Sequence, residues 1–251
     1  MKEDLLKRLD CLASSLSKQE HCLAFLALGS AADINRLDDY SDLDFFLITE
    51  EGYAKSFIDS LAWLETCSSL AYTFRNTIDG YKVMWEDGIY AEFAVFNPSQ
   101  LSQIPFTEGR FIFNKNPQTI KGSPALSYPK LSQTLEYAFN EIITNLYVGL
   151  SRYHRGEKLS AFRLIQVHAV DRYLAMMHLF YEEKPIASDP FSLERRVESR
   201  YPLMTSWNQL MLGYDRTLES AHEMLNLLET IQPINPVLKK EIVKLLKPKK
   251  S

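Results

Sequence analysis

Residues 27–48 read ALGSAADINRLDDYSDLDFFLI. An apolar run, Leu23 to Leu28, closes on Gly29-Ser30, and after a polar connection Ser41-Asp42-Leu43-Asp44 opens a second run, Leu43 to Thr49. Short apolar runs bounded by turn residues predict buried strands, here two adjacent ones. The long polar connection between them is of the kind that is often functional inside a compact domain. Side chains alternate across a strand, so Asp42 and Asp44 project from one face while Leu43 points the other way. Two carboxylates about 6–7 Å apart along a strand repel each other, and a cation between them relieves that repulsion. Hard oxygen ligands with open positions favour magnesium over zinc or copper.

Working outward, residues 2 to about 18 predict an amphipathic helix, with Leu5, Leu6, Leu9, Leu12 and Leu16 at three- and four-residue steps. Ala54 to about Cys67 has helical spacing again. Tyr81–Trp85 and Ile89–Phe96 flank Glu86-Asp87-Gly88, a strong hairpin signal. Pro98, Pro105, Pro117, Pro124 and Pro129 then mark a loop-rich stretch, with one short strand or helical turn near Arg110–Phe113. Beyond Pro129 the pattern is helical: Leu131–Arg155, Leu159–Glu182, Leu203–Leu228 and Val237–Leu246, separated by Pro185, Pro190, Pro202, Pro233 and Pro236. The expected fold class is α+β: a mixed sheet with flanking helices over residues 1–128, then a helical bundle over residues 129–251.

A hydrophobic fraction of 46% and a charged fraction of 24% suit a folded protein of 251 residues and exclude intrinsic disorder. No stretch approaches the roughly 20 apolar residues that span a bilayer. A net charge of -4 gives no global attraction to nucleic acid, which makes nucleic acid an unlikely partner. The final KKEIVKLLKPKKS reads as a solvated helix end. Cys11, Cys22 and Cys67 form no closely spaced pair, so a reducing, cytoplasmic setting is expected. The five histidines lack zinc-site spacing and are expected to be ordinary helix residues.

A third carboxylate, Glu92, lies among apolar neighbours in IYAEFAVF on the second hairpin strand. Beside the Asp42/Asp44 strand it completes a cluster able to hold two metal ions, one serving a hydroxyl and the other a triphosphate. Gly29 allows close backbone approach, and Ser30 with neighbouring amides offers donors to phosphate oxygens. A Gly-Ser pair or an Asp-x-Asp alone carries little information, and Glu92 alone also suits an exposed edge strand. Their ordered combination supplies the parts phosphoryl transfer requires.

These residues resemble the DNA-polymerase-beta-like nucleotidyltransferase superfamily, with its Gly-Ser, spacer, Asp-x-Asp and distant third acid. They are most similar to the lincosamide and aminoglycoside antibiotic nucleotidyltransferases, on LGSAADINRLDDYSDLDFFLI, YAEFAVF and HRGEKLS. The resemblance implies ATP or another nucleoside triphosphate as co-substrate, two magnesium ions, and transfer of a nucleoside monophosphate to a hydroxyl of a small acceptor. By position, Asp42, Asp44 and Glu92 are the implied metal ligands, with Glu92 also a candidate general base. Gly29, Ser30, Ser41 and Arg155 are the implied nucleotide contacts, and a homodimer is the implied assembly. The spacer departs from the pattern in having no glycine. Two alternatives stay open: nucleotidylation of a protein or RNA, and a nucleotide-binding module without catalysis. For Arg195, Arg196 and Arg200, intrahelical pairing with Glu194 and Glu198 is expected.

Overall fold

The computed structural model describes residues 2–126, 134–186, 189, 192–202, 204 and 207–247. They form two compact units, Met1–Tyr128 and Pro129–Ser251.

In the first unit, the apolar run CLAFLAL becomes β1 (Cys22–Leu28), followed by a single helical turn, α2 (Gly29–Ala32). The amphipathic start is α1 (Lys2–Leu16), with Leu5, Leu9, Leu12 and Leu16 all buried. LDFFLIT forms β2 (Leu43–Thr49), antiparallel to β1. The helical spacing after residue 54 gives only a short α3 (Ala54–Asp59). Ser60 is extended (φ -130°, ψ 119°), and this break lets Trp63 and Leu64 reach the core, with Trp63 Nε1 donating to the Phe57 carbonyl at 2.9 Å. The expected helix to Cys67 is therefore cut short.

Next comes β3 (Leu70–Phe74), an edge strand that the sequence pattern did not reveal. The hairpin of β4 (Gly80–Trp85) and β5 (Tyr90–Phe96) forms as expected, with Gly88 at φ +83° in its turn. A capped turn, α4 (Pro98–Leu101), interrupts the loop-rich stretch, and Arg110–Asn114 is a strand, β6. The sheet order is β3-β4-β5-β2-β1-β6. All pairings are antiparallel except β2 with β5.

One face of this sheet is packed under α1, α3 and Trp63, with Phe25, Phe45, Phe93, Val83 and Trp85 pointing into that core. Arg8 of α1 is buried there, its guanidinium 4.4 Å from the Trp85 ring centroid and hydrogen-bonded to Asp87 of the hairpin turn. The opposite face carries a smaller cluster of Leu26, Ile48, Phe96, Leu101, Phe106 and Ile120. Alternation along β2 and β5 sends Asp44 and Glu92 to this second, less covered face.

Cys11 and Cys67 form a disulfide, with Cα atoms 6.0 Å apart. This corrects the expectation of unpaired cysteines: 56 residues separate them in sequence, but α1 packs where the turn after α3 returns. The pairing removes the cysteine count as a ground for a reducing compartment. Cys22 is free and buried.

The second unit is helical: α5 (Leu135–His154), α6 (Lys158–Phe162), α7 (Ala169–Met176), α8 (Val197–Arg200), α9 (Trp207–Leu210), α10 (Thr217–Ile231) and α11 (Pro236–Leu245). Its core is built from Ile142, Leu146, Ile165, Tyr173, Leu225 and Leu228. Between α6 and α7 the chain widens to a π-helix, Arg163–His168. Within it, fully buried Gln166 accepts from Gly213 N and donates to the Gly213 carbonyl, both at 2.8 Å.

The expected Leu203–Leu228 helix is broken at Gly213, whose φ of +97° no helix accommodates. The first residues expected of that helix (203, 205 and 206) and of the Leu131 helix (131–133) lie outside the described residues, as do residues 248–251 of the basic tail. Arg195 pairs with Asp189 at 2.9 Å, and buried Arg200 pairs with Glu183 at 2.8 Å. Both look beyond their own helical turn, so the expected pairing with Glu194 and Glu198 is not what holds them. His21 also departs from expectation. It sits in a turn at φ +64°, bonded to Glu50 and stacked on Tyr53. Among the described residues, no helix is long and apolar enough to cross a membrane.

Candidate active site on the open face of the sheet

The site grows from the one parallel pairing. Asp44 of β2 stands between Leu28 of β1 and Glu92 of β5, each its direct Cα partner. Leu28 is followed by Gly29, whose φ of +54° turns the chain sharply. A Cβ on Gly29 would lie 2.6 Å from Asp44 Oδ2, so the absence of a side chain is what lets the turn close on this carboxylate. Ser30 follows within the same turn.

On its other side Glu92 faces Lys82 of β4. Lys82 Nζ lies 3.1 Å from Glu92 Oε2, and Asn76 Nδ2 donates to Glu92 Oε1 at 2.8 Å. The hydrogen bond and charge of Glu92 raise the Lys82 ammonium above its ordinary value, with Tyr90 and Asp44 adding to the effect against a small opposing cost of burial. The Tyr90 phenol is also raised, by burial first; Lys82 opposes the shift, and the negative charges of Glu92 and Asp42 reinforce it. Asp42, Glu92 and Lys82 thus act on a single side chain.

The structure makes Asp44 and Glu92 neighbours and sets Asp42 just ahead of β2. Among the described residues, no three His, Cys, Asp or Glu side chains form a group ready to hold a metal ion. Glu92 is drawn toward Lys82 and Asn76, the first charged and the second a donor. The donor chemistry still suits magnesium: Asp42 and Asp44 offer carboxylate oxygens, and the space against Asp44 Oδ2 is kept free of a Gly29 side chain.

The other expected residues are less central. Ser41 Oγ bonds Asp38 Oδ1 at 3.1 Å and receives Asp38 N at 3.0 Å, which ties down the end of the polar connection. Arg155 caps the end of α5 in the second unit, 61% exposed, with Nε 3.5 Å from Glu157 Oε1. Sequence reasoning missed Lys82 and Asn76. Lys82 was within reach, because a turn centred on Asp87 sets it opposite Glu92.

No protein-family model and no curated protein matches the chain. Among solved structures it is similar to an aminoglycoside 6-adenyltransferase from Bacillus subtilis, at 12% identity over 98% of this chain and 91% of that one, with a TM-score of 0.33. It is similar also to a STING-associated CdnE c-di-GMP synthase from Capnocytophaga granulosa, at 13% identity over 98% and 78% of the two chains, TM-score 0.32. A nucleotidyltransferase-like protein from Exiguobacterium sibiricum matches at 14% identity over 96% and 77%, TM-score 0.33. Likenesses this distant assign no activity by themselves.

Proposed function

We propose that the chain is a nucleotidyltransferase, moving a nucleoside monophosphate from a nucleoside triphosphate such as ATP to a hydroxyl of a small acceptor. The observation that carries this reading is the row Gly29–Asp44–Glu92: a side-chain-free turn closed against one carboxylate, with a second carboxylate on the adjoining parallel strand. In the reaction, the acceptor oxygen forms a bond to the α-phosphorus and the bond from that phosphorus to the bridging oxygen breaks. Pyrophosphate leaves, and Glu92 takes the hydroxyl proton. Asp42 and Asp44 are the residues that would hold magnesium, with Glu92 joining them when its carboxylate leaves Lys82. The bound cation supplies charge neutralisation for the triphosphate. The net charge of -4 favours a small acceptor over a polynucleotide, and hydroxyl-bearing antibiotics of the lincosamide or aminoglycoside kind are the class to try first.

The test is pyrophosphate release with magnesium, each of the four nucleoside triphosphates and a panel of such acceptors. Acceptor-dependent release that vanishes in Asp44→Asn, with folding intact, supports the proposal. Absence of both release and triphosphate binding would sink it.

A further inference from the structure

Beside the Gly29 turn lies a pocket of about 370 Å³, lined by Gly29, Asp33, Arg36, Thr107, Glu108 and Arg110 among others. Its volume is at the lower end of the range for small-ligand sites. Arg110 opens β6 opposite Ala27 of β1. The preceding Gly109 presses so closely on β1 that a Cβ there would meet Leu26 Cδ1 at 2.7 Å and the Ala27 carbonyl at 2.8 Å, which fixes where the arginine starts.

Arg110 Nη2 donates to the Ala31 carbonyl at 3.0 Å, while its Nε is shut away from solvent without a partner. A guanidinium carries five N–H donors and keeps its charge at any physiological pH. A buried donor left unpaired is costly, and an anion is the partner that best removes the cost. The two acids in the lining are each engaged by a donor of the first unit: Asp33 Oδ1 accepts from Asn35 N at 3.1 Å, and Glu108 Oε1 from Ser123 Oγ at 3.3 Å. Arg36 makes no ion pair among the described residues. Gly29 lines this pocket, and the Asp44 carboxylate fills the space where its Cβ would lie, so the pocket adjoins the carboxylate that the proposed reaction uses.

We infer that Arg110, assisted by Arg36, binds the β- and γ-phosphates of the triphosphate in this pocket and holds the departing pyrophosphate. The inference rests on the nucleotidyl-transfer reading above. The cation implied by resemblance, Arg155, is already paired with Glu157.

Calorimetric titration of the full chain with magnesium, using non-hydrolysable triphosphate analogues, the matching monophosphate and inorganic tripolyphosphate, tests it. Arg110→Gln keeps a donor for Ala31 and removes the charge. Its affinity for the triphosphates and for tripolyphosphate should fall about tenfold or more, while monophosphate affinity stays the same. Arg36→Gln, at a more accessible position, should show a smaller loss of the same kind and decides the matter if Arg110→Gln does not fold. Wild-type affinity for the polyphosphates in the folded variants overturns the inference while leaving nucleotidyl transfer standing. Arginine-dependent binding of tripolyphosphate without any nucleotide binding upholds the pocket and removes the nucleotide reading. A wild-type chain that binds neither removes both.

Discussion

Asp44 Oδ2 occupies the space that a side chain on Gly29 would need, at 2.6 Å from the position of its Cβ. Two costs therefore meet in Gly29→Ala: the φ of +54° disfavours any residue with a Cβ, and the added methyl pushes the carboxylate aside. Stability should fall by about 1 kcal/mol. Turnover should fall about 100-fold, as expected for a catalytic group displaced by the order of an ångström. Parallel denaturant melts and pyrophosphate assays separate the two. Activity close to wild type would show that Asp44 need not sit against the turn.

Lys82 holds Glu92 from across the β4–β5 ladder. If Glu92 joins the metal, the ammonium competes with it, and Lys82→Met should lower the magnesium concentration for half-maximal activity. The pair is partly exposed, so the effect is modest, about two- to fivefold. A magnesium titration of the two proteins measures it. An unchanged requirement would mean that Glu92 serves the acceptor alone.

The disulfide closes a long loop, Cys11 to Cys67, and ties α1 to the turn after α3. With a sequence separation of 56, the chain-entropy account gives an upper figure of about 4 kcal/mol for its contribution. Cys11→Ser should lower the midpoint of thermal unfolding, and reductant should do the same to wild type but not to the variant. Burial pushes the Cys22 thiol up to about 12, so it should resist alkylation until the chain unfolds.

In the helical unit, burial works against ionisation of Glu183, but hydrogen bonds from Arg200 and Tyr201 and the charge of Arg200 outweigh it and hold its carboxyl below the ordinary value of 4.5. A depressed folded-state value gives stability that is present above the unfolded value and lost as pH falls through the folded one. Acid should therefore destabilise this unit below about pH 4.5. Glu183→Gln should flatten that part of the pH profile, read by helical circular dichroism. Arg200→Ala should cost more than the ion pair alone, because it also takes the donor from the Leu193 carbonyl and empties a buried position.

Much of this arrangement is legible in the sequence because it follows from periods of two and of 3.6 residues. β1, β2 and the β4–β5 hairpin carry continuous or alternating apolar runs, and α1 repeats leucine at helical steps. The adjacency of β2 and β5 is legible only through Glu92, an acid in an otherwise apolar strand, and its parallel sense is not written in the local pattern. β3 escaped because LAYTF is an exposed edge with no buried face to write a pattern. The disulfide and the pairing of Arg200 with Glu183 escaped for a related reason: local spacing carries no information about which other segment packs alongside. The engagement of Glu92 by Lys82 and Asn76 needed the hairpin register and the β3–β4 turn together.

Asp44 and Glu92 meet through a single ladder whose two strands belong to different stretches of chain, with everything from α3 through β4 looped out between them. A slip of β5 by one position would re-pair its backbone with both neighbouring strands and turn Glu92 into the aromatic core, exchanging it with Phe93. The register that brings the two carboxylates together is thus the same one that seats Phe93 in the core. An insertion in the Glu86–Ile89 turn that shifts that alignment should therefore cost activity and stability together, because Glu92 would be buried where Phe93 packs.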